Sequence, residues 1–376
     1  MTSITQGFAL SEEQHDLRRT VRSFLAAKCT EERVREVMAG DSGYDPAVWQ
    51  QMSDQLALQG LAIPEHFGGL GFSLVELGIV MEEMGRALLP SPFLASVVLA
   101  GGALLHSGDE SAAQRWLPGI ASGRTIATLA LTEEAGSWDV DSVTMRAERS
   151  GDCWILDGVK NFVLDGHVAD MVVVVARTDA GLSLLTVENP TERVNRRTLS
   201  TLDPTRRQAR LEFTGTPATL VGTDGGAAPT LRRALDDAAA ALSAEQVGGA
   251  QRCLDMAVEY AKVRRQFGKP IGSFQAIRHR CADMLLDVEC ARGAAQYALS
   301  AAAQNDETLP AAASIAKAYA SEAYERAAAA NIQIHGGIGF TWEHPAHLYY
   351  KRAKSSGHLL GSAGHHRRQL ADRTGI

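Results

Sequence analysis

Two arginines stand side by side at positions 264 and 265, separated by one residue from a Phe-Gly break at Phe267 and Gly268. The alanine-rich sequence before them predicts a long helix, so both guanidinium groups are expected near its C-terminal end. A guanidinium group can pair with phosphate oxygens through two parallel, charge-assisted hydrogen bonds. The pair is therefore a candidate phosphate site. The alternative is that both arginines are solvated charges that satisfy the carbonyl groups at the helix end.

Histidines crowd the C-terminal part of the chain and raise the question of a metal site. No cysteine or paired carboxylate accompanies them at metal-ligand spacing, so we interpret them as loop and helix-face side chains. The five cysteines are scattered and form no CxxC pair, which predicts reduced thiols. The residues concerned are His335, His344, His347, His358, His365, His366, Cys29, Cys153, Cys253, Cys281 and Cys290.

The composition is that of an ordinary globular protein. Hydrophobic residues make up 45% of the 376 residues and charged residues 22%, a balance that argues against a disordered chain. A formal net charge of -7 argues against the basic surface that nucleic-acid binding requires. The N-terminus lacks the pattern of a secretory signal, and no apolar stretch reaches the roughly 20 residues of a membrane helix. We therefore expect a cytoplasmic protein with neither nucleic-acid nor membrane partners.

The elements that must position these residues begin with a helical stretch over residues 8–121. One helix is predicted to start at a Ser11 cap, with acidic residues favoured in its first turn. Hydrophobic periodicity predicts further helices over residues 49–58, 74–88 and 112–120.

The middle of the chain changes to short β-rich runs separated by Gly, Asp, Pro and Asn. The predicted strands cover residues 125–131, 142–147, 154–159, 171–176, 182–187 and 209–213. Short strands at this spacing indicate a compact barrel or sandwich rather than βαβ units. No GxGxxG follows a strand, so a Rossmann fold is not indicated.

From about residue 229 onward the sequence is helical again. A break at Pro270 separates a helix that ends near Phe267 from one that starts near Ser273. The next helix is predicted from Pro310 to the glycine pair 336–337.

The string from Arg264 to Gln275 resembles the late Arg-x-x-Phe-Gly…Gln signature of the acyl-CoA dehydrogenase family. Other family-like motifs follow in the family order along nearly the whole chain. They stand at residues 8–14, 64–71, 131–137, 158–163 and 333–340. The joint match is far more specific than any single motif.

This resemblance implies an α+β fold with an N-terminal helical domain, a central β-barrel or sandwich and a C-terminal four-helix bundle. The corresponding domains are residues 1–122, 123–225 and 226–376. The family assembles as dimers of dimers. Its members use FAD to introduce an α,β double bond into an acyl-CoA thioester, and electron-transfer flavoprotein or a similar acceptor removes the electrons.

The resemblance also assigns cofactor contacts. Thr132 would hydrogen-bond the flavin, and Arg264 would hold the diphosphate end of a neighbouring subunit's FAD. Glycine backbone can approach a phosphate closely because it has no Cβ, although the pair 336–337 could also cap a helix. Ser137 would contact the thioester or the flavin, or else stabilise its loop. The full set of expected contacts is Thr132, Ser137, Phe162, Leu164, Arg264, Gln266, Phe267, Gln275, Gln333, Gly336 and Gly337.

The family's reaction requires a carboxylate that removes the α-proton. The family places this glutamate either in a late loop, here Leu360, or on the helix before the arginine signature, here Ala238. Neither residue can act as a base. Asp237 and Glu245 are weak substitutes, since Asp237 lies about 100° around the helix from position 238. The catalytic base therefore stays unknown.

The flavin loop also departs from the family pattern. Glu134 and Trp138 stand where the family has Pro and Asp. Leu164 replaces a hydroxyl expected near the flavin and cannot donate a hydrogen bond.

Three hypotheses follow from these departures. The chain is the FAD-holding subunit of a hetero-tetramer whose paralogous partner supplies the base, as in some bacterial members that act on bulky, steroid-like acyl-CoAs. Alternatively, it is a self-sufficient homo-tetramer with a relocated carboxylate. The third hypothesis is a flavin-binding or assembly subunit without catalysis of its own.

Overall fold

The computed structural model describes residues 10–151, 153–190 and 193–376 of the chain. Phe8 and Ala9, which open the first family-like motif, lie outside the described residues. The chain divides into two compact units. We call residues 10–35, 74–89 and 239–376 the helical unit, and residues 36–73 with 90–238 the sheet unit.

Helices form the first and last parts of the described chain, as the periodicity predicts. In chain order they are α1 (Glu12–Lys28), α2 (Glu31–Ala39), α3 (Pro46–Leu56), α4 (Leu74–Ala87), α5 (Gly101–His106), α6 (Glu110–Ala121), α7 (Ala227–Val263), α8 (Gln275–Ala303), α9 (Leu309–His335), α10 (Ala346–His358) and α11 (Ala363–Thr374). The predicted Ser11 cap is confirmed. The Ser11 hydroxyl accepts from the Gln14 amide at 3.2 Å, and the Gln14 side chain accepts from the Ser11 amide at 3.0 Å.

The predicted helices over residues 49–58, 74–88 and 112–120 are confirmed as α3, α4 and α6, with ends shifted by up to three residues. Three N-terminal elements escaped prediction, namely α2, α5 and a π-helical turn over Leu94–Ala100 that runs directly into α5. Every residue of the π-helical turn is buried, so its sequence is apolar apart from Ser96 and carries no amphipathic period.

The helix before the arginine pair ends at Val263 rather than near Phe267. A two-residue strand pair follows it, in which Arg265 pairs with Pro270 and Gln266 with Lys269. Phe267 and Gly268 form the turn, with φ values of 51° and 77°. Two consecutive left-handed residues are what a tight type I′ hairpin turn requires. The Phe-Gly break is therefore a hairpin turn beyond the helix end.

The helical region after residue 226 contains α10 and α11 in addition to the three long helices α7, α8 and α9. The start of α9 near Pro310 and its end at the glycine pair match the sequence prediction. The structure describes every residue of this region, which contains five helices rather than the four of the expected bundle.

The sheet unit contains β1 (Ala127–Ala130), β2 (Arg146–Ser150), β3 (Cys153–Leu164), β4 (Met171–Arg177), β5 (Leu182–Glu188), β6 (Val194–Thr198) and β7 (Gln208–Val221). The pairings β4–β2, β2–β3, β3–β7, β7–β5 and β5–β4 close on themselves, with β1 parallel to β4 and β6 added to β7. Buried residues of β4, β5 and β7 form its core, among them Val172, Val174, Leu185 and Leu211. The predicted α+β class and barrel-like middle region are confirmed.

Several details of the sheet differ from prediction. Strands β3 and β7 continue to Leu164 and Val221, beyond the predicted ends at residues 159 and 213. The strand expected at residues 142–147 begins only at Arg146, because a 3-10 turn capped by Asp139 occupies Val140–Ser142. Strand β6 was not predicted, since it is mostly exposed and polar and therefore lacks an apolar signal.

Candidate functional site

The arginine pair lies on the exposed hairpin that follows α7. The Arg264 amide donates to the carbonyl of Tyr260 at 2.8 Å and so closes the helix through backbone alone. Within the described parts of the chain, neither Arg264 nor Arg265 forms an ion pair with a carboxylate. Phe267 is 90% exposed and meets Phe274 edge to face at 6.1 Å. Both guanidinium groups are thus available to an external anion.

Neighbouring cofactor candidates are also exposed. Gln266 donates from its side chain to the carbonyl of Arg265 at 3.0 Å, and Gln275 is the exposed first residue of α8. Gln333, on the last turn of α9, is exposed as well. The structure therefore leaves these amide groups accessible at the surface of the helical unit.

The two glycines after α9 play different conformational roles. Gly336 has φ 65° and caps α9 through its amide, which donates to the carbonyls of Ile332 and Gln333. A Cβ added at Gly336 or Gly337 would meet nothing within 4 Å. The capping role is therefore present, and open space in front of this backbone also leaves room for a ligand to approach.

On the sheet unit, Thr132 is buried at the end of β1, and its hydroxyl donates to the carbonyl of Asn161. Because its proton is used in this bond, the Thr132 hydroxyl can only accept a hydrogen bond from a ligand. Ser137 accepts from the amide of Asp139 at 3.2 Å, which is the loop-stabilising role considered above. Phe162 has φ 56°, and a Cβ on Gly136 would lie 3.3 Å from its ring.

Leu164 and its neighbour Val163 are both buried, and Val163 belongs to the hydrophobic core of the sheet. Successive residues of a strand face opposite sides, so the Leu164 side chain lies on the other face of β3. Its carbonyl accepts from the Thr128 hydroxyl at 2.6 Å. An apolar side chain thus fills the position where the family has a hydroxyl.

A cavity of about 460 Å³ lies beside this loop of the sheet unit. It is large enough for part of an elongated ligand, and Ser137 contributes to its wall together with two carboxylates. The lining residues are Leu131, Glu133, Glu134, Ala135, Ser137, Ser142, Val143, Thr144, Met145, Gly158 and Val159.

The loop of residues 359–362 is held rigidly in the helical unit. Leu360 is 4% exposed and has φ 60°. Its carbonyl lies 2.9 Å from the Nε2 atom of His366. The buried ammonium of Lys317 donates to the carbonyls of Ser356 at 3.0 Å and Gly361 at 3.3 Å. An apolar residue in a fixed backbone therefore occupies the first expected position of the base.

The second expected position, Ala238, is fully buried on α7. The substitutes near it are engaged in ion pairs. Asp237 accepts from Arg233 at 3.1 Å and lies 2.7 Å from the Nε2 atom of His106. Glu245 accepts from Arg352 at 2.8 Å, with both side chains no more than 6% exposed. A carboxylate held by a buried guanidinium is stabilised in its charged form and is a poor proton acceptor.

Burial, followed by the charge of Lys317, lowers the pKa of His366 from 6.5 to about 3. The neutral ring must donate from Nε2 to the Leu360 carbonyl, which leaves Nδ1 as an acceptor. Between pH 6.5 and 3 the unfolded chain binds a proton that the folded chain does not. Folding stability must therefore fall as the pH falls through this window.

We expect this group to contribute a slope of up to about 1.4 kcal/mol per pH unit to the free energy of unfolding. The His366→Gln substitution keeps an N–H donor but removes the titrating ring. It should therefore remove this group's contribution to the pH dependence of the free energy of unfolding. Urea unfolding at pH 4, 5, 6 and 7 measures it, with the exposed His15→Gln as control. Equal pH slopes for wild type and His366→Gln would contradict the assignment.

The histidines near the end of α9 form a stacked group. His335 lies 4.3 Å, between ring centroids, from both Tyr260 and His344, and Trp342 stacks on His347 at 4.7 Å. In the part of the chain that the structure describes, no set of three or more His, Cys, Asp or Glu side chains could hold a metal ion. Among the described helices, none is long and apolar enough to cross a membrane.

Sequence reasoning missed the buried ionic groups. Lys160 and Lys317 are both 0% exposed, and Glu245 pairs with Arg352 inside the helical unit. The sequence does contain one signal for such groups, which is a single charged residue inside an apolar or alanine-rich run. A residue of this kind either faces solvent or is buried with a partner. Only tertiary contacts distinguish these two cases.

Comparison with known proteins identifies the three regions directly. Residues 11–124, 128–215 and 225–375 match the acyl-CoA dehydrogenase N-terminal, middle and C-terminal domain models. The chain is 40% identical over 352 residues to the acyl-CoA dehydrogenase IpdE2 of Mycobacterium tuberculosis, covering 93% of this chain and 94% of that protein.

Two solved structures share the fold. The ChsE4-ChsE5 complex from Mycobacterium tuberculosis superposes with a TM-score of 0.89 and 32% identity over 98% of each chain. A steroid ACAD variant, Tcur3481-Tcur3483, superposes with a TM-score of 0.87 and 30% identity, covering 97% of this chain and 98% of that one. The resemblance carried by residues 264–275 is thus confirmed, and the chain belongs to the acyl-CoA dehydrogenase family, whose members are FAD-dependent oxidoreductases acting on acyl-CoA.

Proposed function

We propose that this chain holds FAD as one subunit of a hetero-oligomer that dehydrogenates a bulky acyl-CoA, and that a paralogous partner subunit supplies the catalytic base. The observation that carries this proposal is the pair Leu360 and Ala238, buried at both positions where the family places its glutamate. The nearby carboxylates of Glu245 and Asp237 are engaged by cations.

The residues on the hairpin and after α9 fit a diphosphate-bearing cofactor. Arg264 is exposed, has no carboxylate partner among the described residues, and lies at the base of the hairpin, where its carbonyl accepts from the Ile271 amide at 2.8 Å. Open space in front of Gly336 and Gly337 admits close approach to the backbone. These features support the assignment of Arg264, Gln266, Phe267, Gln275, Gln333, Gly336 and Gly337 to FAD, held for a neighbouring subunit.

FAD, when bound, supplies the acceptor for the two electrons that leave the acyl chain. The residues of this chain contribute binding and orientation. Arg264 would neutralise the diphosphate, and Thr132 would accept a hydrogen bond from the flavin edge. Leu164 excludes water from its side of β3 but donates no hydrogen bond. Removal of the α-proton falls to a carboxylate of the partner subunit.

Two related solved structures support the assembly and the substrate class. The solved ChsE4-ChsE5 structure is a complex of two different proteins, and the Tcur3481-Tcur3483 structure is named a steroid ACAD. We therefore propose a paralogous acyl-CoA dehydrogenase as partner and a steroid-like acyl-CoA as substrate. Electron-transfer flavoprotein or a similar acceptor would reoxidise the flavin.

Co-expression with a paralogue encoded next to this chain tests the proposal. We expect the two chains to co-purify with bound flavin and to reduce ferrocenium in the presence of a bulky acyl-CoA, while this chain alone does not. Turnover by this chain alone would favour a self-sufficient enzyme with a relocated base. Absence of substrate-dependent flavin bleaching, alone and with the partner, would favour the non-catalytic assembly subunit.

Arg264→Ala is expected to weaken FAD binding roughly tenfold to a hundredfold, because a hydrogen bond to a charged group contributes about 1.5–3 kcal/mol. Flavin absorbance of the purified complex measures the loss. Lys262→Ala removes an equally exposed positive charge two residues earlier and serves as the control. Unchanged flavin content in Arg264→Ala would remove Arg264 from the cofactor site.

A further inference from the structure

Lys160 on β3 is a lysine with no exposed surface. Its ammonium donates to the carbonyl of Leu131 at 3.1 Å and to Oε1 of Glu133 at 2.8 Å. Burying an ammonium is costly unless it is paired and hydrogen-bonded, and both conditions hold here. The lysine therefore connects the middle of β3 to the segment that leaves β1.

Glu133 extends this connection to a third segment. Its carboxylate accepts from the amide of Met145 at 2.8 Å and from the amide of Thr144 at 3.0 Å, and also from the Thr144 hydroxyl. These residues lead into β2. One partly buried ion pair thus connects the segment after β1, the middle of β3 and the start of β2.

Thr132 lies between the two groups that Lys160 binds. Its carbonyl accepts from the Asn161 amide at 2.9 Å, and its hydroxyl donates to the Asn161 carbonyl. Residues 131–133 are therefore pinned to residues 160 and 161 by consecutive hydrogen bonds. Lys160 thus contacts the residues on both sides of Thr132, namely the carbonyl of Leu131 and the carboxylate of Glu133.

The ionic state of this pair is set by burial and by its own charges. Burial lowers the pKa of Lys160 to about 8, against the opposing hydrogen bond and charge of Glu133. Burial would raise the pKa of Glu133, but donors led by Lys160 and Thr144 outweigh it and lower the pKa to about 2. Among the described residues, Glu133 is the one charged group that acts on the Lys160 ammonium. The pair is therefore ionic near neutrality and loses its cation above about pH 8.

We propose that Lys160 and Glu133 are positioning residues that fix the Thr132 segment for FAD binding, so that opening their ion pair weakens the affinity for FAD. This inference rests on the proposed role of this chain in holding FAD. Neither residue is assigned a contact with the reacting atoms. Their effect is transmitted through the backbone of residues 131–133.

The test is an FAD titration of the flavin-depleted complex, followed by flavin fluorescence from pH 6 to pH 9.5. For wild type we expect a constant dissociation constant up to about pH 7.5 and a rise of roughly tenfold above pH 8, where Lys160 loses its proton. Lys160→Met should raise the dissociation constant about tenfold at pH 7 and abolish the pH dependence.

Glu133→Gln distinguishes positioning from a general loss of folding. Without the carboxylate, the Lys160 ammonium is less stable in its buried site, so the inflection should move to a pH below 8. This result stands even where Lys160→Met fails to fold. In a Thr132→Ala background, Lys160→Met should add little further loss, because both act through the same segment.

Asp179→Asn is the matched control, since it breaks the exposed ion pair of Arg146 and Asp179 in the same unit. It should leave FAD affinity unchanged at every pH. A wild-type complex that takes up no FAD would overturn both the proposed function and this inference. Normal uptake with the same affinity and pH profile in wild type, Lys160→Met and Glu133→Gln would overturn this inference alone.

Discussion

Glu245→Gln should lower the free energy of unfolding by roughly 3–5 kcal/mol, because it leaves the buried guanidinium of Arg352 facing a neutral amide. The two side chains are only 6% and 3% exposed, so solvent cannot replace the lost charge. Their 2.8 Å contact joins α7 to α10 inside the helical unit. Urea or thermal unfolding of the purified protein measures the loss.

The matched control is Glu322→Gln, which breaks the solvent-accessible ion pairs with Arg367 and Arg326 in the same unit. Surface pairs contribute about 0–1 kcal/mol, so this variant should unfold almost like wild type. The comparison also tests the relocated-base hypothesis. If Glu245→Gln unfolds like the control and nevertheless abolishes turnover, Glu245 is a catalytic carboxylate and the structural interpretation of its ion pair is wrong.

The helices that the sequence predicted best are those with one buried face. α3 and α6 each alternate buried and accessible positions at the helical period, so hydrophobic periodicity located them to within three residues. α4 was located as well, although its residues 77–85 are all buried, because its sequence intersperses charged residues with apolar ones. The π-helical turn at Leu94–Ala100 is buried all round, and β6 is mostly exposed. Elements that are uniformly apolar or uniformly polar carry no period and could not be located this way.

The site was predictable to the extent that it depends on backbone motifs. The Phe-Gly break and the helix end at Gly336 follow from local sequence, because glycine has local conformational meaning. The hairpin itself was not predicted, since the helix was expected to continue to Phe267 and ends at Val263. The roles of Lys160 and Lys317 are of a different kind. Their partners lie 27 residues and 44 residues away along the chain, at Glu133 and Gly361. No local pattern distinguishes such a lysine from a solvated one.

Leu360→Glu should give this chain, purified without a partner, a substrate-dependent dehydrogenation that the wild type lacks. The family places its base at this position, and a positioned general base contributes about 10²–10⁴-fold to the rate. The backbone is already set to present a side chain there. Residue 360 is held at φ 60° by the hydrogen bond from His366, while Lys317 holds the next carbonyl.

Ferrocenium reduction with several acyl-CoAs measures the gain, with Leu360→Gln as the matched control of equal size and no basicity. Position 360 is 4% exposed, so burial should raise the pKa of the new carboxyl group. Activity should therefore increase with pH through that raised pKa. A flavin-loaded Leu360→Glu variant that is no more active than Leu360→Gln at any pH would show that the missing carboxylate is not what makes this chain depend on a partner.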